Sequence, residues 1–216
     1  MLTVDNLSFT YDGIKYVLKD INLNFEPGNI YGIFGKSGAG KTTLLSLLAG
    51  LEVATNGAII YNGHDLSSLD RNKYRSQNIG VIFQSLNLLP HLTAVENVIL
   101  SIDISNIKCD DKKKKAMSLL QKVGIDETKA NRRILHLSGG EQQRVSIARA
   151  LANESEIILA DEPTGNLDKD TEKDVIDLLT KLAHHDKKCV IIISHSNKVK
   201  ENIDFSYNLH NGKIIN

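Results

Sequence analysis

Runs of apolar residues divide this chain into short strands and amphipathic helices. Residues 2–9 and 17–25 alternate between apolar and polar side chains, which predicts two strands that each bury one face. Asn211 and Gly212, between two short apolar stretches, predict a hairpin near the end of the chain. Continuous apolar runs are typical of parallel strands buried on both faces, and they cover residues 30–34, 79–83, 157–160 and 190–193.

Apolar residues at helical spacing predict helices over residues 42–49, 95–99, 116–123 and 171–182. A short strand is predicted over residues 57–61. From residue 85 to about residue 144 there are few strand signals, so this part is predicted to be a helical insertion into an α/β protein.

Composition narrows the class of protein. The 216 residues suit one domain, and 26 Lys and Arg balance 26 Asp and Glu, which does not favour a nucleic-acid partner. No apolar run is long enough to span a membrane, and residues 1–5 do not resemble a signal peptide. Two cysteines, Cys109 and Cys189, do not form a disulfide framework. We therefore expect a cytoplasmic protein.

The strand at residues 30–34 is followed by a glycine-rich loop that fits the pattern G-x-x-x-x-G-K-[ST]. Such a loop turns backbone N–H groups inward around phosphates, and the helix that follows points its positive end at them. Lys41 is expected to reach the β- and γ-phosphates, and the Thr42 hydroxyl to bind Mg²⁺. The loop consists of Gly35, Lys36, Ser37, Gly38, Ala39, Gly40, Lys41 and Thr42, and Thr43 follows it.

Four positions follow the predicted buried strands: Gly35, Gln84 and Asp161 directly, and His195 after Ser194. Ligands of open α/β sheets bind outside the carboxyl ends of the strands, so we expect these positions to converge. Asp161 is predicted to hold Mg²⁺ directly or through water, and the neighbouring Glu162 to orient or deprotonate the attacking water.

A second anion site is predicted at the sequence Leu137-Ser138-Gly139-Gly140-Glu141. Ser138 and Glu141 form the capping-box pattern S-x-x-E, and Gly139 and Gly140 leave the start of the following helix open.

Together with Gln142-Gln143-Arg144-Val145, this stretch resembles the signature motif of ABC-transporter ATPases. The resemblance covers nearly the whole chain. It implies that Tyr11 stacks on adenine, that Gln84 is the Q-loop residue and a metal ligand, that Asn166, Leu167 and Asp168 form the D-loop, and that His195 is the switch histidine. It also implies a head-to-tail homodimer with two ATP molecules sandwiched between one protomer's phosphate loop and the other's signature.

The predicted fold class is α/β, with a P-loop NTPase core of mostly parallel sheet, an N-terminal antiparallel β subdomain and an inserted helical subdomain. Residues 1–216 are expected to form a single ABC ATPase domain. Residues 1–84 and 145–216 would make the core with the β subdomain, and residues 85–144 the helical subdomain.

The sequences around Gln84 and Asp161 are similar to those of the macrolide exporters and lipoprotein-releasing ATPases. This implies membrane permease subunits as partners and a position at the inner face of the cell membrane. A regulatory ATPase of the cell-division type remains an alternative, whereas a GTPase is not favoured because the motif N-K-x-D is absent.

A hydrophobic groove for the permease is predicted just beyond Gln84, from Leu86, Leu88, Leu89, Pro90 and Leu92.

Overall fold

The computed structural model of the chain describes residues 1–165 and 167–215, and its strands form two sheets. The strands are β1 (Leu2–Thr10), β2 (Tyr16–Phe25), β3 (Ile30–Phe34), β4 (Asn56–Tyr61), β5 (His64–Asp65), β6 (Ile79–Ile82), β7 (Ile157–Asp161), β8 (Cys189–Ser194), β9 (Phe205–His210) and β10 (Lys213–Ile215). The smaller sheet is antiparallel and has the order β2-β1-β4-β5. The larger has the order β10-β9-β3-β8-β7-β6 and is parallel except for β10.

Helices cover both faces of the larger sheet. They are α1 (Lys41–Leu48), α2 (Arg71–Gln77), α3 (Ala94–Ser105), α4 (Lys112–Lys122), α5 (Glu127–Ala130), α6 (Gly139–Ala150), α7 (Lys169–His184) and α8 (Asn197–Glu201). Gly50 has a φ of 70° just after α1, as the end of a helix often requires. Asn211 and Gly212 both have positive φ and form the turn between β9 and β10.

Two hydrophobic clusters lie on opposite faces of the larger sheet, and β7 contributes to both. Ile157 and Leu159 pack into the cluster shared with α1 and the antiparallel sheet. Ile158 and Ala160 pack into the cluster shared with α3, α4, α6 and α7. A strand that is buried on both sides has no position for a polar residue, which explains its continuous apolar run.

The predicted α/β fold with an antiparallel β layer and a helical layer is confirmed, and several details differ. The antiparallel sheet is completed by β4 and β5, which come after α1 in the chain, so it is not formed from the N-terminal strands alone. β6 ends at Ile82, one residue before the predicted end. The sequence pattern also missed α2, in which Tyr74 is the buried residue, although Asp70 caps its start.

Candidate functional site

The phosphate loop lies between β3 and α1, as predicted. Gly38 and Gly40 have φ angles of 77° and 103°, a left-handed conformation that favours glycine. No side chain caps the start of α1, so its first N–H groups remain available to an anion. Lys41 Nζ donates to the Gly35 carbonyl at 2.8 Å and to the Lys36 carbonyl at 3.3 Å. The lysine is therefore already folded back over the loop.

The predicted residues at the strand ends meet in one open cleft of about 570 Å³. Because β3, β8, β7 and β6 are neighbours in the sheet, their carboxyl ends bring these side chains together. Ala39 is the exception within the loop, because its side chain is buried in the hydrophobic cluster. The cleft is lined by Gly35, Lys36, Ser37, Gly38, Gly40, Lys41, Thr42, Thr43, Gln84, Asp161, Glu162 and His195.

Two adjacent carboxylates occupy the floor of the cleft. Burial, and then the negative charge of Glu162, raise the pKa of Asp161, while the nearby Lys41 ammonium opposes this rise. Glu162 has a φ of 46°, which is uncommon for a residue with a side chain, and its N–H donates to the Ile193 carbonyl at 2.9 Å. Its Oε1 lies 2.8 Å from His195 Nδ1. The two predicted catalytic side chains are thus in direct contact.

The oxygen atoms around the cleft suit a magnesium ion. Thr42, Gln84 and Asp161 offer a hydroxyl, an amide oxygen and a carboxylate. Mg²⁺ in nucleotide sites uses one or two protein oxygens of this kind together with phosphate oxygens and water. The side chains present therefore fit the predicted ion.

Tyr11 lies beside the cleft and is 65% exposed. Its ring packs edge-on against Phe9, with 4.8 Å between the centroids, and its hydroxyl lies 3.3 Å from Thr43 Oγ1. The turn that follows is held by Asp12, whose carboxylate accepts hydrogen bonds from the N–H groups of Lys15 and Ile14. These bonds lower the pKa of Asp12 to about 2. Tyr11 therefore presents a flat aromatic face on an ordered turn.

The signature residues lie away from this cleft. Ser138 Oγ accepts from the Glu141 N–H at 3.3 Å, and the Glu141 carboxylate accepts from the Ser138 N–H at 2.8 Å, so the predicted capping box is formed. The bond from the Ser138 N–H lowers the pKa of Glu141, and Lys129 lies 3.1 Å from its carboxylate. Ser138 and Gly139 are exposed at the start of α6.

Asp168 also lies outside the cleft. Its carboxylate caps α7 by accepting from the N–H groups of Asp170 and Thr171 and from the Thr171 hydroxyl. The D-loop prediction at Asn166 lies outside the described residues. One protomer therefore brings together the phosphate loop, Gln84, the acidic pair and His195, but not the signature or Asp168.

The start of α6 packs closely against α7, and this contact gives a stability prediction. A Cβ at Gly140 would lie 2.5 Å from Thr171 Cγ2, and Thr171 is held in place by its bond to Asp168. We expect Gly140→Ala to destabilise the fold by about 1–2 kcal/mol, because the clash outweighs the better helix propensity of alanine. Gly139→Ala is the matched control, since its Cβ would meet nothing within 4 Å. Thermal unfolding would measure both, and equal melting temperatures would contradict the contact.

The sequence pattern did not reveal the polar side chains that support the site. Arg149 on α6 is half-buried and donates to the carbonyls of Leu86 and Asn87, which follow Gln84 in the chain. Glu172 on α7 accepts from Ser196, next to His195. A polar residue within an amphipathic helix signals only an exposed face, so neither contact could be predicted from spacing.

None of the helices within residues 1–165 and 167–215 is long and apolar enough to cross a membrane.

Comparisons with known proteins agree on one family. The sequence profile described as ABC transporter matches residues 18–165. "Uncharacterized ABC transporter ATP-binding protein YclH" of Bacillus subtilis (strain 168) is 44% identical over 198 residues, which cover 92% of this chain and 88% of that protein. "Lipoprotein-releasing system ATP-binding protein LolD" of Hyphomonas neptunium is 37% identical over 218 residues, which cover 100% of this chain and 95% of that protein.

The fold is shared with a solved structure of a protein from Methanocaldococcus jannaschii. That structure is described as "Dimeric structure of a post-hydrolysis state of the ATP-binding cassette MJ0796 bound to ADP and Pi". It superposes with a TM-score of 0.90 at 37% identity, over 100% of this chain and 97% of that chain.

Proposed function

This chain belongs to the ABC transporter family of ATPases, and from that premise we propose that it drives a separate membrane permease by binding and hydrolysing ATP. One observation carries the proposal. The phosphate loop, Gln84, the acidic pair and His195 meet in one cleft at the carboxyl ends of four neighbouring strands. This arrangement supplies phosphate binding, metal binding and a proton acceptor within one site.

Binding of ATP begins with an exchange of hydrogen bonds at Lys41. Its ammonium group leaves the carbonyls of Gly35 and Lys36 and binds the β- and γ-phosphates, where charge-assisted bonds are stronger. Backbone N–H groups from Lys36 to Thr43 surround the same phosphates. Tyr11 stacks on the adenine ring, which places the nucleotide along the cleft.

Hydrolysis depends on a carboxylate that can accept a proton from water. Glu162 takes this role, and its contact with His195 holds the carboxylate near the position of the terminal phosphate. Mg²⁺ held by Thr42, Gln84 and Asp161 would neutralise charge on the phosphate oxygens. His195 is 73% exposed in its side chain, so its ring is open to the γ-phosphate while Nδ1 stays beside Glu162.

A second protomer completes the site. Ser138, Gly139, Gly140 and Glu141 do not line the cleft of their own chain, yet the start of α6 is exposed and suits an anion. In a head-to-tail dimer each signature covers the phosphates held by the partner. Asp168, at the start of α7, lies at the same interface.

The concentration dependence of hydrolysis tests this proposal. If two protomers form each site, the ATPase rate per protomer should rise with protein concentration until the dimer is saturated. Phosphate release measured over a wide range of protein concentration would show this rise. A rate per protomer that stays constant, from a chain that light scattering shows to be monomeric with ATP, would contradict the shared site.

The permease is proposed to bind a second, mostly apolar groove of about 370 Å³. It lies beside the end of β6, close to Gln84. A change at Gln84 when the γ-phosphate binds can therefore be transmitted to the permease. Its exposed apolar side chains are Leu51, Leu89, Leu100 and Ile104. The buried Asn97 fixes the loop at Leu89 by bonding both its N–H and its carbonyl.

Of the five residues predicted to form the groove, only Leu89 lines it, and Leu86, Leu88, Pro90 and Leu92 do not. Leu88 is half-buried and packs against the cluster under the helical layer, whereas its neighbour Leu89 lines the groove. Successive residues in this loop therefore point to different sides, and a test of the groove must use other positions.

Leu100→Glu is expected to uncouple the chain from its permease. The side chain is 40% exposed, so a charge there leaves the fold intact but is costly to bury against an apolar partner. ATPase activity of the isolated protein should be unchanged, whereas co-purification with the permease from detergent-solubilised membranes should fall at least about tenfold.

Ile215→Glu, at an exposed position on β10, is the control for an added surface charge. Equal permease recovery for both variants would contradict the groove assignment.

The type of transporter and the division into subdomains are two further parts of the proposal. The likeness to a lipoprotein-releasing protein supports a permease of the exporter or mechanotransmission type. The chain would then lie at the inner face of the cell membrane, attached through that permease. We also propose residues 85–144 as a helical subdomain inserted between core residues 1–84 and 145–216.

A further inference from the structure

The Glu172 carboxylate connects the two loops that carry the proposed catalytic pair. Ser196 Oγ donates to Glu172 Oε1 at 2.7 Å, and Thr164 Oγ1 donates to the same oxygen at 3.5 Å. Lys198 Nζ lies 3.3 Å from the other oxygen, Oε2. The Glu172 side chain is only 15% exposed, so these contacts form in a partly dry environment.

Two of these partners lie within two residues of the proposed catalytic pair in the sequence. Thr164 comes two residues after Glu162, and Ser196 comes directly after His195. Glu162 and His195 touch each other at 2.8 Å. One carboxylate on α7 therefore binds both loops just beyond the pair.

The local backbone makes such support necessary. Glu162 has a left-handed φ of 46°, a conformation that persists in a residue with a side chain only when its surroundings hold it. Lys198 compensates the charge of Glu172, and its ammonium group also donates to the Lys169 carbonyl at 3.0 Å. The network therefore also joins the first turn of α7 to α8.

We propose that Glu172 is a positioning residue for ATP hydrolysis, which keeps Glu162 and His195 in contact through Thr164 and Ser196. The inference rests on the proposed hydrolytic role of the cleft. Glu172 does not line the cleft itself, so its removal should lower kcat and leave ATP affinity unchanged.

Substitutions at position 172 test the carboxylate directly. Glu172→Ala removes every contact and should lower kcat on the order of tenfold, as small displacements of catalytic groups do. Glu172→Gln keeps an oxygen that can accept from Ser196 but loses the charge that pairs with Lys198. Its kcat should therefore lie between the kcat of Glu172→Ala and that of the wild type. Asp177→Asn is the control on the same helix, because Asp177 is exposed and its carboxylate has no hydrogen bond within the described residues.

Ser196→Ala tests the same contact without changing α7. It should lower kcat in the same way. The double variant with Glu172→Ala should be no slower than the slower single variant, because both substitutions remove the bond between Ser196 and Glu172. Calorimetry with Mg·ATP would measure the ATP affinity of each variant, and thermal unfolding would measure its stability.

The outcomes separate this inference from the function on which it rests. Equal kcat for Glu172→Ala and Asp177→Asn, beside an active wild type, would overturn the positioning role alone. The positioning role would also be overturned if the kcat losses of the two single variants multiplied in the double variant. The same holds if ATP affinity fell by as large a factor as kcat. A wild-type chain that binds ATP but does not hydrolyse it would overturn both the proposed function and this inference.

Discussion

Glu162→Gln is expected to slow ATP hydrolysis on the order of a hundredfold to ten-thousandfold while ATP binding is retained. Glutamine has the shape of glutamate but cannot accept the proton of the attacking water. The substitution also removes one negative charge beside Asp161, so affinity for Mg·ATP should not fall. Phosphate release and calorimetry on the same protein would measure the two effects.

The same variant should accumulate as a dimer when ATP is present. If hydrolysis separates the protomers, blocking it leaves the ATP-bound pair assembled, and light scattering after size exclusion would detect the doubled mass. Glu201→Gln, at an exposed position on α8, controls for the loss of one acid. Normal turnover by Glu162→Gln would remove Glu162 from the role of proton acceptor.

Lys41→Ala is expected to weaken ATP binding by about a hundredfold or more. A charge-assisted hydrogen bond contributes up to about 3 kcal/mol, which corresponds to about two powers of ten in the dissociation constant. Alanine leaves the phosphates without the ammonium group that already lies over the loop carbonyls. Calorimetric titration with Mg·ATP measures the loss.

Thermal unfolding gives an independent measurement of the same effect. A ligand that binds only the folded state raises the melting temperature, so Mg·ATP at a concentration that saturates the wild type should stabilise it and should shift Lys41→Ala much less. Lys213→Ala, on the exposed strand β10, should respond like the wild type. A normal shift in Lys41→Ala would show that the lysine does not bind the phosphates.

The larger sheet and the cleft could be predicted because they follow from periodicity along the chain. Uninterrupted apolar runs identify β3, β6, β7 and β8, and the residue after each strand must lie at the same edge when the strands are parallel. Residues Gly35, Gln84 and His195 therefore converge without any knowledge of strand order. The comparisons confirmed the family that the signature had suggested.

Features that depend on side-chain contacts between distant segments could not be predicted in this way. Glu172 and Arg149 look like ordinary polar positions of amphipathic helices, and only the packing of α7 and α6 shows which loops they bind. The orientation of Leu88 and Leu89 depends on left-handed conformations at Leu86 and Asn87, and such a conformation is unusual for leucine. Apolar composition alone did not distinguish a core leucine from a groove leucine.

The left-handed backbone at Glu162 lowers the stability of the folded protein. Its φ of 46° suits glycine, and its carboxylate lies beside that of Asp161, so both the chain and the charges are under strain there. Glycine at position 162 would relieve both, yet it would remove the group that accepts the proton. Selection for thermal stability alone, without selection for turnover, would therefore favour an inactive protein at this position.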